Sequence, residues 1–380
     1  MTTLSHVYSG LLLVRTPVVA TTNKAGANYK SEVKHEIYSP REAFDEWMRI
    51  CDAIVACGGD AVFDFEPEDE PLIGVGDLQV HGDGAITPAG SAERLAHTDD
   101  VLTGRVFTAN GPWVVVDGGA LRAAMPNMLE HRRAEAPYYR ALLETIADLA
   151  GLSLEILYTP HRWEGMADVA VVGQNVALTY AVPGHYDQGI ETKSRRSSRE
   201  GVAFAADTAG VPESARVYAE LVYPHFHGDT VHFGARPVDG EPVLVHYPGG
   251  LYGDGAARTR EAFGPDKIVP IGRSDAVDHY AGNSRQVNRG VLVPHSVSDA
   301  FCSALSRLGL TIHRIELYEL FGKAGGGPGC ATLYLPENLS LPDDAPIRYS
   351  RRRDEVLARR ERLPDKLTVD PAFFEGKRRG

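Results

Sequence analysis

Amphipathic helical patterns and short β-rich runs alternate along most of this chain, and that alternation leaves few folds open. Ala43, Phe44, Trp47, Met48 and Cys51 recur at the i, i+3, i+4, i+7, i+8 spacing of one helix face. Val297, Ala300, Phe301, Ala304, Leu305 and Leu308 repeat the spacing behind Ser296, a residue type able to cap. Tyr138 or Tyr139 with Leu142, Leu143, Ile146, Ala147 and Ala150 gives a third pattern. Val202, Ala205, Ala206 and Ala209 give a fourth, and Ala256 to Phe263 a weaker fifth. Between them lie runs rich in Val, Leu, Tyr and Phe, each bounded by Gly, Pro, Asn or Asp. They are 10–16, 60–65, 105–110, 113–117, 153–158, 168–172, 176–180, 216–222, 242–247, 287–293, 311–317 and 330–335. The alternation predicts an α/β fold, and it permits five copies of one ββαβ unit around an axis, without sequence identity between copies.

Composition narrows the class. A chain of 380 residues with 43% hydrophobic content can bury a sizeable core. No run approaches the roughly 18 apolar residues of a membrane span, and Met1 to Pro17 lacks the pattern of a signal peptide. Neither membrane insertion nor export is expected. Cys51, Cys57, Cys302 and Cys330 form no metal-type or redox-type spacing, which suits free thiols in a reducing cytoplasm and leaves any one of them available as a nucleophile. Net charge is −12, yet Pro342 to Gly380 carries eleven Lys plus Arg against eight Asp plus Glu, so the preceding body is the strongly acidic part. Such a body repels nucleic acid and anionic membranes and favours cationic small molecules. Residues 1–340 are expected to form one catalytic domain, and 341–380 a charged C-terminal extension that wraps the body or is partly disordered. A homo-oligomer is compatible with all of this.

Four segments can carry chemistry. Gly325-Gly326-Gly327-Pro328-Gly329-Cys330-Ala331-Thr332 sets a thiol at the end of a Gly-rich turn, where a ligand can approach closely; the alternative is a tight turn with a buried Cys. In His225-Phe226-His227-Gly228-Asp229-Thr230, a strand would put His225, His227 and Asp229 on one face, as a base with its carboxylate, a metal site lacking a further ligand, or a structural set. Trp163-Glu164-Gly165-Met166-Ala167-Asp168 places two carboxylates where a turn enters a strand, able to orient a His or hold a cation. Arg195-Arg196-Ser197-Ser198 precedes a helix, either binding a carboxylate or capping.

Taken in order, these segments resemble the guanidino-group-modifying (pentein) superfamily of arginine deiminases, dimethylarginine dimethylaminohydrolases and amidinotransferases. The resemblance runs from about Gly10 to Leu335. It also takes in Phe107-Thr108-Ala109-Asn110, the helix start at Arg133 to Glu135, and Asn283. It implies a five-bladed αβ propeller with Cys330 as nucleophile, His227 as general acid and base, and Glu164 orienting His227. Asp229 would hold guanidinium nitrogens, Asp168 and Asn110 would contact substrate or shape its site, and Arg196 would meet a substrate carboxylate. No metal and no cofactor is implied.

A guanidinium carbon is a poor electrophile, so a carboxylate that localises its charge and a thiolate attacking it both lower the barrier. The implied reaction is hydrolysis of an arginine-like guanidine or amidine through an S-amidino cysteine. Transfer of the amidino group to an amine acceptor is the alternative within enzymes, and a non-catalytic binding protein on the same scaffold the alternative outside them. The segment after Cys330 looks more like the hydrolases. Two positions depart from the family: Gly104 stands where relatives carry an Asp, with Asp99 or Asp100 as candidate replacements, and Gly329 stands where relatives often have a bulkier residue.

Overall fold

The computed structural model describes residues 10–17, 37–63, 104–128, 132, 135–182, 196–323, 325–363 and 365–368, with backbone segments at 71–75, 78–81, 86–88, 186–187 and 190–191. Asp99, Asp100, Arg133 and Arg195 lie outside the described residues.

Five three-stranded mixed sheets share one order of elements: two antiparallel strands, a helix, and a strand that returns parallel to the second. Trp113–Asp117 and Ala120–Ala124 pair antiparallel, the helix Ala136–Ala150 follows, and Ser153–Leu157 returns alongside Ala120–Ala124. Val169–Val172, Asn175–Tyr180, the helix Arg199–Thr208 and Arg216–Glu220 repeat the plan. So do His232–Ala235, Val243–His246, the helix Gly255–Phe263 and Ile268–Pro270. Arg285–Val287, Gly290–Pro294, the helix Asp299–Ser306 and Thr311–Ile315 form the next copy. The remaining sheet joins the two ends of the chain. Leu11–Leu13 pairs parallel with Asp60–Val62 across the helix Pro40–Ala56, and antiparallel with Leu333–Tyr334. The fold is α/β, built from several small mixed sheets.

Local chemistry accounts for these elements. The hairpin at Asp117↔Ala120 turns on Gly118 and Gly119, both at positive φ, the conformation that a two-residue turn matching the strand twist demands. Residues 287–293, expected as one strand, are split by a two-residue turn at Asn288 and Arg289. Asn288 adopts φ 51, tolerable for its short polar side chain, and its Nδ2 donates to the Cys57 carbonyl at 3.0 Å. Ser39 caps the Pro40–Ala56 helix by accepting from the Glu42 N–H. The cap of the Asp299–Ser306 helix is Ser298, two residues beyond the expected Ser296.

Apolar helix faces pack on their sheets. Phe44, Trp47, Ile50, Cys51 and Ile54 of the first helix are buried together with Phe63, and full burial of one such large side chain is worth roughly 1.5–3 kcal/mol. Tyr349, Val356 and Leu363 belong to the same cluster, so the charged helix Tyr349–Glu361 lies against the first helix. There Tyr349 Oη donates to Asp52 at 2.9 Å, Arg353 donates to Asp52 at 3.1 Å, and Arg360 forks onto Asp45 at 2.7 and 2.8 Å. Among the described residues no helix is long and apolar enough to cross a membrane.

Candidate active site

Each connection from the last strand of one ββαβ unit to the first strand of the next ends in a short turn shortly before that strand, and these turns deliver side chains to one buried place. Thr108–Asn110, Gly165–Asp168, Gly228–Thr230 and Ala281–Asn283 are single 3-10 turns, and the Gly-rich segment before Leu333 supplies Cys330. Two expectations of extended chain are corrected here. Residues 105–110 and 225–229 are not strands, so His225, His227 and Asp229 do not share a strand face. The Gly228–Thr230 turn nevertheless brings His227 and Asp229 to the same centre, whereas His225 Nδ1 lies 3.0 Å from Thr230 Oγ1.

Side chains at the ends of three of these turns clasp the backbone of the next, and the Gly228–Thr230 turn is instead held by Asn283 Nδ2, which donates to the Asp229 carbonyl at 3.2 Å. Asn110 Nδ2 donates to the Glu164 carbonyl at 2.9 Å. Asp168 accepts from the Gly228 N–H at 3.0 Å. Asn283 Oδ1 accepts from the N–H groups of Gly327 and Cys330, each at 2.9 Å. The ring closes where the Ala109 N–H donates to the Cys330 carbonyl at 2.9 Å. Gly165 is required for this: its φ is 84, and a Cβ there would lie 2.4 Å from the Asn110 carbonyl oxygen.

Within the ring, Cys330 Sγ lies 3.2 Å from Asp229 Oδ2 and accepts from Asn283 Nδ2 at 3.0 Å. Burial pushes the thiol pKa well up, and the Asp229 carboxylate pushes it further. Burial also raises Asp229, against the opposing pull of His227, the thiol and Arg285. Arg285 braces the Gly-rich loop, donating to the Gly329 carbonyl at 2.6 Å and to Thr332 Oγ1 at 2.9 Å while stacking on Tyr334.

On the other side, Glu164 Oε2 meets His227 Nε2 at 3.6 Å and Arg196 Nη1 at 2.9 Å. Burial alone would raise Glu164, but Arg196 and His227 hold it well below the usual carboxylate range. Glu164 therefore stays an anion beside the imidazole, and Arg196 is turned onto it. Asp168 is fully buried, with both oxygens on protein donors: Thr179 Oγ1 and the Gly228 N–H on one, Ser197 Oγ on the other. Asn110 Nδ2 also lies 3.4 Å from His227 Nε2, and its Oδ1 accepts from Arg132.

Arg132 and Arg285 carry no sequence signal, because an arginine in a loop is usually solvated and has no periodic pattern. Arg132 also bears on Gly104: a Cβ at Gly104 would sit 2.8 Å from Arg132 Nε, and the Gly104 carbonyl accepts from Arg132 at 2.8 Å. The guanidinium occupies the room that an acidic side chain at 104 would need. Among the described residues no three His, Cys, Asp or Glu side chains converge as a metal site, and the described residues contain no disulfide among the four cysteines.

No protein-family model matches the sequence, and no curated protein matches it. Solved structures do. A Cys-to-Ser mutant of the N-terminal domain of ArgZ, an arginine dihydrolase from the ornithine-ammonia cycle in cyanobacteria, was crystallised with substrate. It is 20% identical at a TM-score of 0.62 over 86% of this chain and 99% of that one. An Asn-to-Ser variant of the same domain, covalently bound to a reaction intermediate, is 20% identical at 0.61, over 87% and 99%. Dimethylarginine dimethylaminohydrolase, as an adduct with a chloropyridine, is 15% identical at 0.52, over 87% and 100%. At these identities the likeness is one of architecture, and the five repeated units with their converging turns give it substance: this chain has the pentein fold that those hydrolases share.

Proposed function

We propose that the protein is a cysteine-dependent hydrolase that attacks the guanidino or amidine carbon of an arginine-like substrate through an S-amidino intermediate on Cys330. The observation that carries this reading is the contact of Cys330 Sγ with Asp229 Oδ2, in one buried ring with the Glu164–His227 pair. A cation against Asp229 offsets the carboxylate charge that keeps the thiol protonated, so the nucleophile is released by the substrate it attacks. His227 takes the thiol proton as Sγ bonds to the guanidino carbon, and passes it to the departing amine as the C–N bond breaks. His227 then takes a proton from water, whose oxygen bonds to the same carbon as the C–S bond breaks and the thiol is restored. Glu164, anionic at neutral pH, orients His227 and stabilises its charged form.

In this reading Asp168 and Asn110 hold the turns in register, with the Asn110 amide also touching His227. Arg196 fixes Glu164, and on substrate binding serves a carboxylate only if it leaves that pair. The five mixed sheets are read as the blades of an αβ propeller, their connecting turns meeting at its axis. Four unpaired thiols support a cytoplasmic location. The names of the structural neighbours, a dihydrolase and an aminohydrolase, favour water over an amine as the acceptor.

The test is incubation with a panel of guanidino compounds, starting with arginine and its methylated forms, followed by mass spectrometry of the products. Consumption with release of amine or ammonia, and none with Cys330→Ser, is expected; an intact panel would overturn the reading.

A further inference from the structure

The turn that sets Asp229 Oδ2 on the nucleophile leaves its other oxygen without a partner. Asp229 Oδ1 is buried, and no described protein group hydrogen-bonds it. Asp229 also lines a cavity of about 30 Å³, whose wall includes His232, Ser284, Arg285, Met166 and Tyr334. His232 is 2% exposed, and neither of its ring nitrogens has a partner among the described residues. Two bare polar groups on one cavity wall are not a stable arrangement by themselves, because a buried donor or acceptor is nearly always satisfied by protein or by ordered water. A cavity needs about 10–15 Å³ to hold one water, and this one has polar groups on its wall.

We propose that this cavity is a water site, and that His232 is a positioning residue which, through that water, supports the charged form of Asp229. The proposal rests on the reading of Asp229 as the carboxylate that receives the substrate cation. His232 begins the strand His232–Ala235 and sits opposite His246 in register, with ring centroids 5.7 Å apart. Burial, with His246 and His225 adding to it, pushes the His232 pKa down to about 3, so the ring is neutral and offers one donor and one acceptor. A water held by that ring donates a hydrogen to Asp229 Oδ1. The carboxylate is then supported on both oxygens. The other groups that face it are Cys330 from the Gly-rich loop, His227 from its own turn, and Asn283 and Arg285 from the next unit.

Removing the imidazole should weaken support for the anion and raise the Asp229 pKa. In His232→Leu the acid limb of the kcat/KM profile should move up by about one pH unit, and in His232→Gln, which keeps a donor and an acceptor, it should return towards that of the unaltered protein. A limb in His232→Leu that coincides with that of the unaltered protein overturns the proposal. A crystal structure of the unaltered protein provides a second test, independent of turnover. A water within about 3.2 Å of both Asp229 Oδ1 and a His232 nitrogen is expected; a dry cavity, or a water that touches neither group, overturns the proposal. If no guanidino compound is consumed, the hydrolase reading fails while the crystallographic arm still decides this one.

Discussion

Cys330 Sγ and Asp229 Oδ2 are 3.2 Å apart, and burial, reinforced by that carboxylate, pushes the thiol pKa well up and favours its neutral form. On the proposed reading the thiol is silent until a cation arrives. Reactivity should therefore depend on the charge of the electrophile. At neutral pH, 2-chloroacetamidine should modify Cys330 at least about ten-fold faster than neutral 2-chloroacetamide, and Asp229→Asn should remove most of that preference. Rates followed by peptide mass spectrometry check this; equal rates for the two reagents would contradict it.

Glu164 and Arg196 are a buried pair whose carboxylate is held below its ordinary value of 4.5, so its stabilisation is fully present above that pH and is lost as pH falls towards the depressed folded value. Glu164→Gln removes the carboxylate that Arg196 Nη1 meets at 2.9 Å and should cost about 3 kcal/mol at pH 7. The gap between variant and parent in urea melts should narrow below about pH 4.5. Activity should fall by about 100-fold or more, since His227 loses its anion.

Asn283 holds the Gly-rich loop through three side-chain hydrogen bonds, accepting from Gly327 and Cys330 and donating to Sγ. Asn283→Ala should destabilise by about 2–4 kcal/mol, because two buried N–H groups lose their acceptor. Asn283→Asp keeps that acceptor but exchanges the donor on Sγ for an oxygen. It also loses the donor to the Asp229 carbonyl, so it should both destabilise and lose activity by about 100-fold, as thermal melts and kcat together check.

The C-terminal helix is tied to the body by apolar packing as well as by its arginines. Val356 is fully buried among residues of the first helix's cluster, so Val356→Ala should cost about 2 kcal/mol. Val356 is not among the residues proposed for the chemistry, and the variant should leave kcat unchanged. A loss below about 0.5 kcal/mol would mean that the helix is not docked in solution.

Much of the architecture is legible because periodicity reports burial: the five helices and most of the strands follow from which residues face the core. The site is harder to read. Its turns contain buried backbone with no period, and the reason that Asn110, Asp168 and Asn283 stand where they do is a hydrogen bond to the next unit, far away in sequence. Gly-rich and Glu-Gly segments signal close approach, and the structure names the neighbours: the Asn110 carbonyl against Gly165 and the Phe107 ring against Gly326. Arg132 gives no signal, since its role depends on room left by a glycine 28 residues earlier in the chain.

The proposed chemistry requires a covalent bond between Cys330 and a guanidino carbon. Mixing the protein with excess arginine or a methylated arginine, quenching in acid within the first turnovers and mapping the peptides by mass spectrometry tests it directly. An amidino adduct on the peptide that contains Cys330, absent from Cys330→Ala, is the expected result. Turnover by Cys330→Ala, or an adduct on Cys51, Cys57 or Cys302 instead, would contradict the account.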